Sequence, residues 1–187
     1  MNKRIVSIVA LAVFGAAPAL AQSGSAGSFP AQPQTRMADK AAVSFVAADS
    51  VGDVQLANLA LQKSQTPSVR SFAQTMVADH TKSGLQAMDL AKRIGATDAK
   101  LQPSDETLIA QQHLARYKGY EFDEEWLKYE ITAHQSDIET VRDAMEVAGN
   151  AAVLQFEQTV LQTDEKHLGL ANAAFDEVER TQGRSSK

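Results

Sequence analysis

The chain has 187 residues, no cysteine and a formal net charge of −5. The absence of cysteine excludes a disulfide scaffold and a lipid-anchored lipoprotein. Its acidic charge is spread evenly, which argues against nucleic-acid binding because such binding needs a concentrated basic surface.

Residues 1–21 have the pattern of a secretory signal peptide that is cleaved before Gln22. A basic start at Lys3 and Arg4 is followed by an apolar run and by a small-residue cleavage sequence. The apolar run is too short to span a bilayer as a helix, although a retained membrane anchor is the alternative interpretation. We therefore expect a periplasmic or otherwise exported protein with no transmembrane anchor after signal cleavage.

The rest of the chain divides into a leader, one domain and a tail. Residues 22–38 are rich in glycine, serine, proline and glutamine and predict a flexible leader. Residues 39–180 have the length of a single domain, in which glycine and proline separate helical segments and no alternating strand pattern occurs. Residues 181–187 predict a disordered tail. The fold class expected is all-α.

Two long helices are predicted in the first half of the domain, and each carries a polar residue on its apolar face. The first covers residues 39–64 and places Asp53 among small apolar side chains. The second begins after the cap residue Thr66 and ends at Gly95, as helices commonly do. His80 lies at the centre of its apolar stripe.

A long connection follows the second helix and contains a short helix of its own. It spans residues 96–122, and its helix is capped by Ser104 and stopped by Gly119. A connection of this length can run along the whole bundle, which would make the second and third long helices parallel. His113, on the short helix, is expected at the surface.

The third long helix, residues 122–149, has a histidine at the centre of its apolar stripe. With 100° of rotation per residue, the apolar side chains of this stripe lie within about 60° of His134. Asp123 is placed to cap the helix. Glu130 and Asp137 lie on one flank of His134, where they could reach either the ring or a shared ion.

The fourth long helix, residues 151–178, repeats this pattern with His167 on its apolar face. Asp164 precedes His167 by three residues, which is the spacing of one acid-and-histidine arm of a di-iron site. The second helix lacks such an acid, since Val77 occupies the position three before His80. Asp79 is rotated away and is expected in a surface pair or at a side interface.

Together these elements predict a ferritin-like four-helix bundle with a short additional crossover helix. At a rise of about 1.5 Å per residue, the inward polar groups of the four long helices reach similar heights and share one layer. Imidazole and carboxylate groups suit iron, manganese, zinc or copper. The candidate metal-site residues are therefore Asp53, His80, Glu130, His134, Asp164 and His167, in which the histidines are neutral ligands and Asp53 or Glu130 either supplies the anionic ligand or orients a ring.

The polar layer has three open interpretations. It could bind a transition metal, it could be a hydrogen-bonded layer that fixes helix register, or it could perform metal-free acid/base chemistry. A full ferroxidase site needs about four carboxylates and two histidines, and the sequence does not meet that requirement. No catalytic residue is identified, because no phosphate-binding loop and no nucleophile in a recognisable setting occurs.

Several motifs resemble the exported bacterial ferritin-like family named domain of unknown function 4142, and the resemblance covers about residues 44–175. The motifs are MVADHT at residues 76–81, Phe122-Asp123 with Leu127 and His134, and His167-Leu168 with Ala171. The resemblance implies a periplasmic or envelope-associated helical bundle of unsettled activity.

The resemblance also implies which positions correspond to the family's polar residues. Its acidic position in the first helix falls on Asp53, and its three histidines are those of the predicted layer. The sequence departs from the family at Trp126, where tyrosine is usual, and at Asp164, where an apolar residue is usual.

We therefore expect an exported ferritin-like bundle protein that binds a transition metal and acts in envelope stress or metal handling. The alternative is a structural or interaction module of the cell envelope with a metal-free polar layer. Its partner would be an envelope protein or a second copy of the chain. An oxidoreductase that uses a metal with oxygen or peroxide is a further alternative.

Overall fold

The computed structural model describes residues 33–185, and these residues form a helical bundle. No strand occurs in this part of the chain, so the predicted all-α class is confirmed. None of its helices has an apolar stretch long enough to cross a bilayer. The helices are α1 (Pro33–Lys63), α2 (Pro67–Ile94), α3 (Asp105–Leu114), α4 (Gly119–Val147) and α5 (Ala151–Ser185).

Local signals in the sequence explain where α2 and α3 begin and end. Pro67 occupies the first turn of α2, where its missing N–H costs nothing. Gly95 ends this helix at φ 70°, a left-handed conformation that glycine adopts without strain, and the N–H of Ala96 then bonds to Ala91 O at 2.8 Å. Ser104 Oγ accepts the N–H of Thr107 at 3.1 Å and so caps α3.

The two ends of the domain differ from the predicted boundaries. α1 begins at Pro33 rather than at Asp39, so the last part of the predicted leader is helical. Asp39 does not cap α1; it is buried, and its Oδ1 accepts the N–H of Gly149 at 2.9 Å. α5 continues to Ser185, so most of the predicted tail also has helical backbone. The predicted signal peptide lies outside the described residues.

The start of α4 is a further correction, because Asp123 was expected to cap it. The helix begins at Gly119, whose φ of 56° lets the chain turn sharply after the crossover. Asp123 is buried within the helix, and its Oδ2 accepts a hydrogen bond from Thr66 Oγ1. The carboxylate therefore joins α4 to the turn between α1 and α2 instead of capping its own helix.

The long helices form two antiparallel pairs joined by the crossover. α1 packs mainly against α2, and α4 mainly against α5, with tight turns at residues 64–66 and 148–150. The starts of α2 and α4 lie in the same apolar cluster, so these helices run parallel as predicted. α3 packs on α1 at Gly52, where an added Cβ would collide with the buried Thr107 side chain.

The apolar core consists of two clusters with a polar layer between them. The first cluster includes Leu56, Phe72 and Trp126 and lies at the end with the α1–α2 turn. The second includes Val43 and Leu90 and lies at the opposite end. His134 and its polar neighbours occupy the section between the two, so the predicted layer is at mid-height in the bundle.

Glu157, on α5, is an isolated acid beside the second apolar cluster. The residue is 1% exposed, and neither carboxylate oxygen has a hydrogen-bond partner. Burial, together with the nearby negative charge of Asp39, raises the pKa of Glu157 to about 7. Ionisation of this side chain therefore opposes folding.

We expect Glu157→Gln to stabilise the protein by about 1–3 kcal/mol at pH 8 and to change little at pH 5. Because the folded-state pKa is raised, the wild type loses stability as the pH rises from about 4.5 to about 7, whereas glutamine never ionises. Urea denaturation at both pH values measures the difference. The exposed Glu179→Gln on the same helix is the control. An equal effect of Glu157→Gln at both pH values would contradict the explanation.

Candidate metal centre

Three buried histidines from three helices meet in the polar layer. His80 comes from α2, His134 from α4 and His167 from α5, and each is at most 4% exposed. Their ring centroids are separated by 4.9 Å (His80 to His167), 5.4 Å (His134 to His167) and 5.8 Å (His80 to His134). Each lies on the apolar stripe of its helix, so packing of those stripes brings the rings together.

The outer nitrogen of His167 is held by an acid from a neighbouring helix. His167 Nε2 lies 3.0 Å from Asp79 Oδ2, which also accepts Lys166 Nζ at 2.8 Å. Partial burial acts to raise the pKa of Asp79, but the hydrogen bonds from Lys166 and His167 outweigh it and lower that pKa. Asp79 is thus a carboxylate, which assigns the ring proton to His167 Nε2 and leaves a lone pair on Nδ1.

His134 is oriented by the backbone of its own helix. Its Nδ1 donates to Glu130 O at 2.8 Å, and Glu130 Oε2 is 3.7 Å from the same nitrogen. Its Nε2 is buried with no hydrogen-bond partner. This nitrogen therefore carries a lone pair that no donor in the described residues satisfies, a costly arrangement unless a ligand completes it.

His80 joins the other two rings to the acid predicted in the first helix. Its Nδ1 lies 3.1 Å from Asp53 Oδ2, and its Nε2 lies 3.1 Å from His167 Nδ1. If the ring proton of His80 is on Nδ1, facing Asp53, then the lone pair of His80 Nε2 and the lone pair of His167 Nδ1 face each other across 3.1 Å. These two lone pairs repel each other unless a cation binds both.

The environment keeps the three imidazoles neutral near pH 7. Burial lowers the pKa of His80 well below its usual value, and the neighbouring histidines lower it further. Burial lowers the pKa of His134 to about 4, and it also lowers that of His167 although Asp79 opposes the shift. Neutral imidazole is the form that binds metal ions.

Asp164 completes the group. One ligand atom from each of the three histidines and from Asp164 lies within 4.8 Å of the others. The residue is 4% exposed, and burial together with the negative charges of Asp137 and Glu165 raises its pKa to about 8. Bonds of about 2.0–2.1 Å to a tetrahedral ion would place ligand atoms about 3.3 Å apart. The 3.1 Å separation of His80 Nε2 and His167 Nδ1 fits such an ion, whereas separations of up to 4.8 Å within the group would have to shorten on binding.

Two of the six predicted ligands lie outside this converging group. Asp53 contacts the outer nitrogen of His80, and Glu130 holds His134 chiefly through its carbonyl oxygen. Both positions are those of residues that orient a metal-binding imidazole rather than bind the ion. Asp79 has the same role for His167. The sequence predicted Asp79 in a surface pair or at a side interface, and it does lie at the interface between α2 and α5.

Further acids surround the layer, and their ionisation is unfavourable there. Burial and mutual repulsion raise the pKa of Asp49, Asp53 and Glu130 well above their usual values, and burial together with the charge of Glu106 raises that of Asp137 to about 7. Both Glu130 side-chain oxygens are buried without a hydrogen-bond partner. Across residues 36–182, no lysine or arginine is buried to compensate them. A bound cation would supply the missing positive charge.

Comparisons with known proteins identify a family and no characterised relative. The profile of the family described as Domain of unknown function (DUF4142) matches residues 24–174. No curated protein and no solved structure matched the chain.

Proposed function

The chain belongs to the DUF4142 family, and we propose that it binds one divalent transition-metal ion through His80, His134, Asp164 and His167. The observation that carries the proposal is the orientation of the three rings. Each has its outer nitrogen against a carboxylate or carbonyl oxygen, and one ring nitrogen of each histidine lies within 4.8 Å of those of the other two. Metal-binding histidines in proteins are held in this way.

The donor set favours an ion that accepts imidazole and carboxylate together. Zinc, copper, iron and manganese all do so, and the enclosed four-donor arrangement resembles closed zinc sites more than sites with an open position. When bound, the ion would supply a positive charge among buried acids. The four side chains would hold it, while Asp53 and Asp79 would orient two of the rings.

This site suggests metal handling rather than iron oxidation. Among the described residues, one cluster of three or more histidine and acid side chains is close enough to share a metal ion. A ferroxidase centre needs about four carboxylates, and this cluster contains one. We further propose that the protein acts outside the cytoplasm, because residues 1–21 have the pattern of an export signal. The ferritin-like assignment stays a prediction.

A metal-free structural layer is the second candidate, and one contact favours it. A proton on His80 Nε2 would make its 3.1 Å contact with His167 Nδ1 an ordinary hydrogen bond. Asp53, whose pKa is raised by burial and by the negative charge of Glu130, would then be protonated and donate to His80 Nδ1. In that state the layer would fix helix register without an ion, and His134 Nε2 would remain unsatisfied.

Metal titration of the chelator-treated protein tests the proposal. We expect the wild type to bind one equivalent of Zn²⁺ or Co²⁺, and we expect His80→Ala to lower the affinity by more than about 100-fold. Removal of an outer-shell partner alone typically costs 10–100-fold, so removal of a ligand costs more. Isothermal titration gives affinity and stoichiometry, and the visible absorption of Co²⁺ reports its coordination.

His113 provides a matched control for these measurements. It is the one histidine of the chain outside the polar layer, and its side chain is 51% exposed on α3. We expect His113→Ala to bind metal as the wild type does. Failure of the wild type to bind any of Zn²⁺, Cu²⁺, Fe²⁺ and Mn²⁺ would favour the metal-free layer instead.

A further inference from the structure

A cavity of about 350 Å³ opens beside the metal centre, between α1, the start of α3 and α4. We call it the acidic vestibule. Its lining includes the carboxyl groups of Asp49, Asp53, Glu106 and Asp137, together with the Tyr129 hydroxyl, and no lysine, arginine or histidine. Such a lining attracts cations and excludes anions.

The four acids form a graded path from solvent to the buried layer. Glu106 is exposed, Asp49 and Asp137 are half-buried, and Asp53 is 5% exposed. Asp53 is also the residue that lies 3.1 Å from His80 Nδ1. One side chain thus belongs both to the cavity wall and to the support of a metal-binding ring.

Two further observations at the inner end of the vestibule point to a cationic ligand. Asp53 Oδ2 is buried, and its 3.1 Å contact with His80 Nδ1 does not have the geometry of a good hydrogen bond. Glu130, whose negative charge adds to burial in raising the pKa of Asp53, is fully buried, and neither of its carboxylate oxygens makes a hydrogen bond of good geometry. Unpartnered buried carboxyl oxygens are unfavourable unless a positive group reaches them.

We propose that the acidic vestibule is the uptake route of the metal centre, along which a divalent cation passes from Glu106 past Asp137 and Asp49 to Asp53. The proposal rests on the function proposed above. Hydrated cations are concentrated at the mouth by the negative field. Carboxylate oxygens then replace water ligands stepwise, and the ion passes from Asp53 around the His80 ring, whose Nδ1 faces Asp53, to the inner nitrogens of the histidines. Because its lining is acidic, the vestibule should admit a free divalent cation more readily than a metal bound to an anionic chelator.

The rate of Co²⁺ uptake by the chelator-treated full chain tests this route. Trp126 is the only tryptophan and lies in the apolar cluster next to the layer, so its fluorescence quenching in a stopped-flow instrument reports loading. We expect Asp137→Asn to slow uptake by about three- to tenfold at low salt and pH 8, with a smaller effect at high salt. Final stoichiometry should remain that of the wild type.

Asp143→Asn is the matched control, because it makes the same chemical change at an exposed position of α4 outside the vestibule. A steric pair gives an independent test. Ser136→Phe places a ring in the vestibule wall and should slow uptake, whereas Phe at the exposed neighbour Gln135 should not.

The outcomes separate the two proposals. Uptake by Asp137→Asn and Ser136→Phe at the rates of their controls would overturn the route while leaving the metal centre intact. Absence of Co²⁺ binding by the wild type would overturn the metal centre, and the route with it. Slower uptake in both test variants with unchanged stoichiometry would support the route.

Discussion

Replacing His134 by leucine is expected to abolish metal binding and also to stabilise the metal-free protein by about 1–3 kcal/mol. His134 is fully buried, and its Nε2 has no hydrogen-bond partner among the described residues. Leucine has a similar volume and no polar atom, so it removes the cost of burying an unsatisfied nitrogen. Glu130 O loses only the additional hydrogen bond from the ring.

Two measurements together test whether His134→Leu loses metal binding and gains stability. Urea denaturation of chelator-treated samples gives the free energy of unfolding, and Co²⁺ absorption shows whether the ion is bound. His113→Leu, at an exposed position, should change neither quantity substantially. A His134→Leu variant that loses stability would instead indicate that His134 is a satisfied member of a structural network.

The second large effect is expected at Trp126, in the apolar cluster beside the layer. Its side chain is fully buried and packs on Phe72 with ring centroids 5.3 Å apart. We expect Trp126→Ala to lower the free energy of unfolding by about 3–5 kcal/mol, because it leaves a cavity in a packed core. Circular dichroism during urea denaturation measures this loss, since the fluorescence signal disappears with the residue.

Trp126→Phe separates packing from hydrogen bonding at the same position. The indole N–H lies beside Glu130 and opposes the rise that burial causes in the pKa of that carboxyl, but it makes no hydrogen bond of good geometry, so its removal should add at most the cost of one weak hydrogen bond. We expect the phenylalanine variant to lose only about 1–2 kcal/mol. If both variants lost the same amount, the indole N–H rather than ring packing would be responsible.

The fold was largely predictable because the helical pattern is regular and its breaks are clearly marked. Pro67, Gly95 and Ser104 lie at or beside observed helix ends, as their backbone preferences require. Asp123 was misassigned as a helix cap because its side chain makes a long-range hydrogen bond instead, and Asp39, where the first helix was predicted to begin, likewise accepts a hydrogen bond from a distant residue. Such tertiary contacts leave no local signal in the sequence.

The candidate site was predictable in its inner part and less so in its outer part. Helical periodicity places the three histidines on inward faces, and matched heights bring them into one layer. Helical periodicity does not distinguish a residue that binds an ion from one that orients a ligand, so both roles stayed open for Asp53 and Glu130. Asp79 reaches His167 across a helix interface, and its rotation away from His80 concealed that contact.

The division of the apolar core into two clusters has a consequence for how the bundle opens. All four long helices pass through both ends, but the described apolar clusters do not merge across the polar layer. Each end can therefore lose its amide protection against hydrogen exchange in a separate opening event. An ion held by α2, α4 and α5 at mid-height would couple the two events, so the chain would unfold as one cooperative unit.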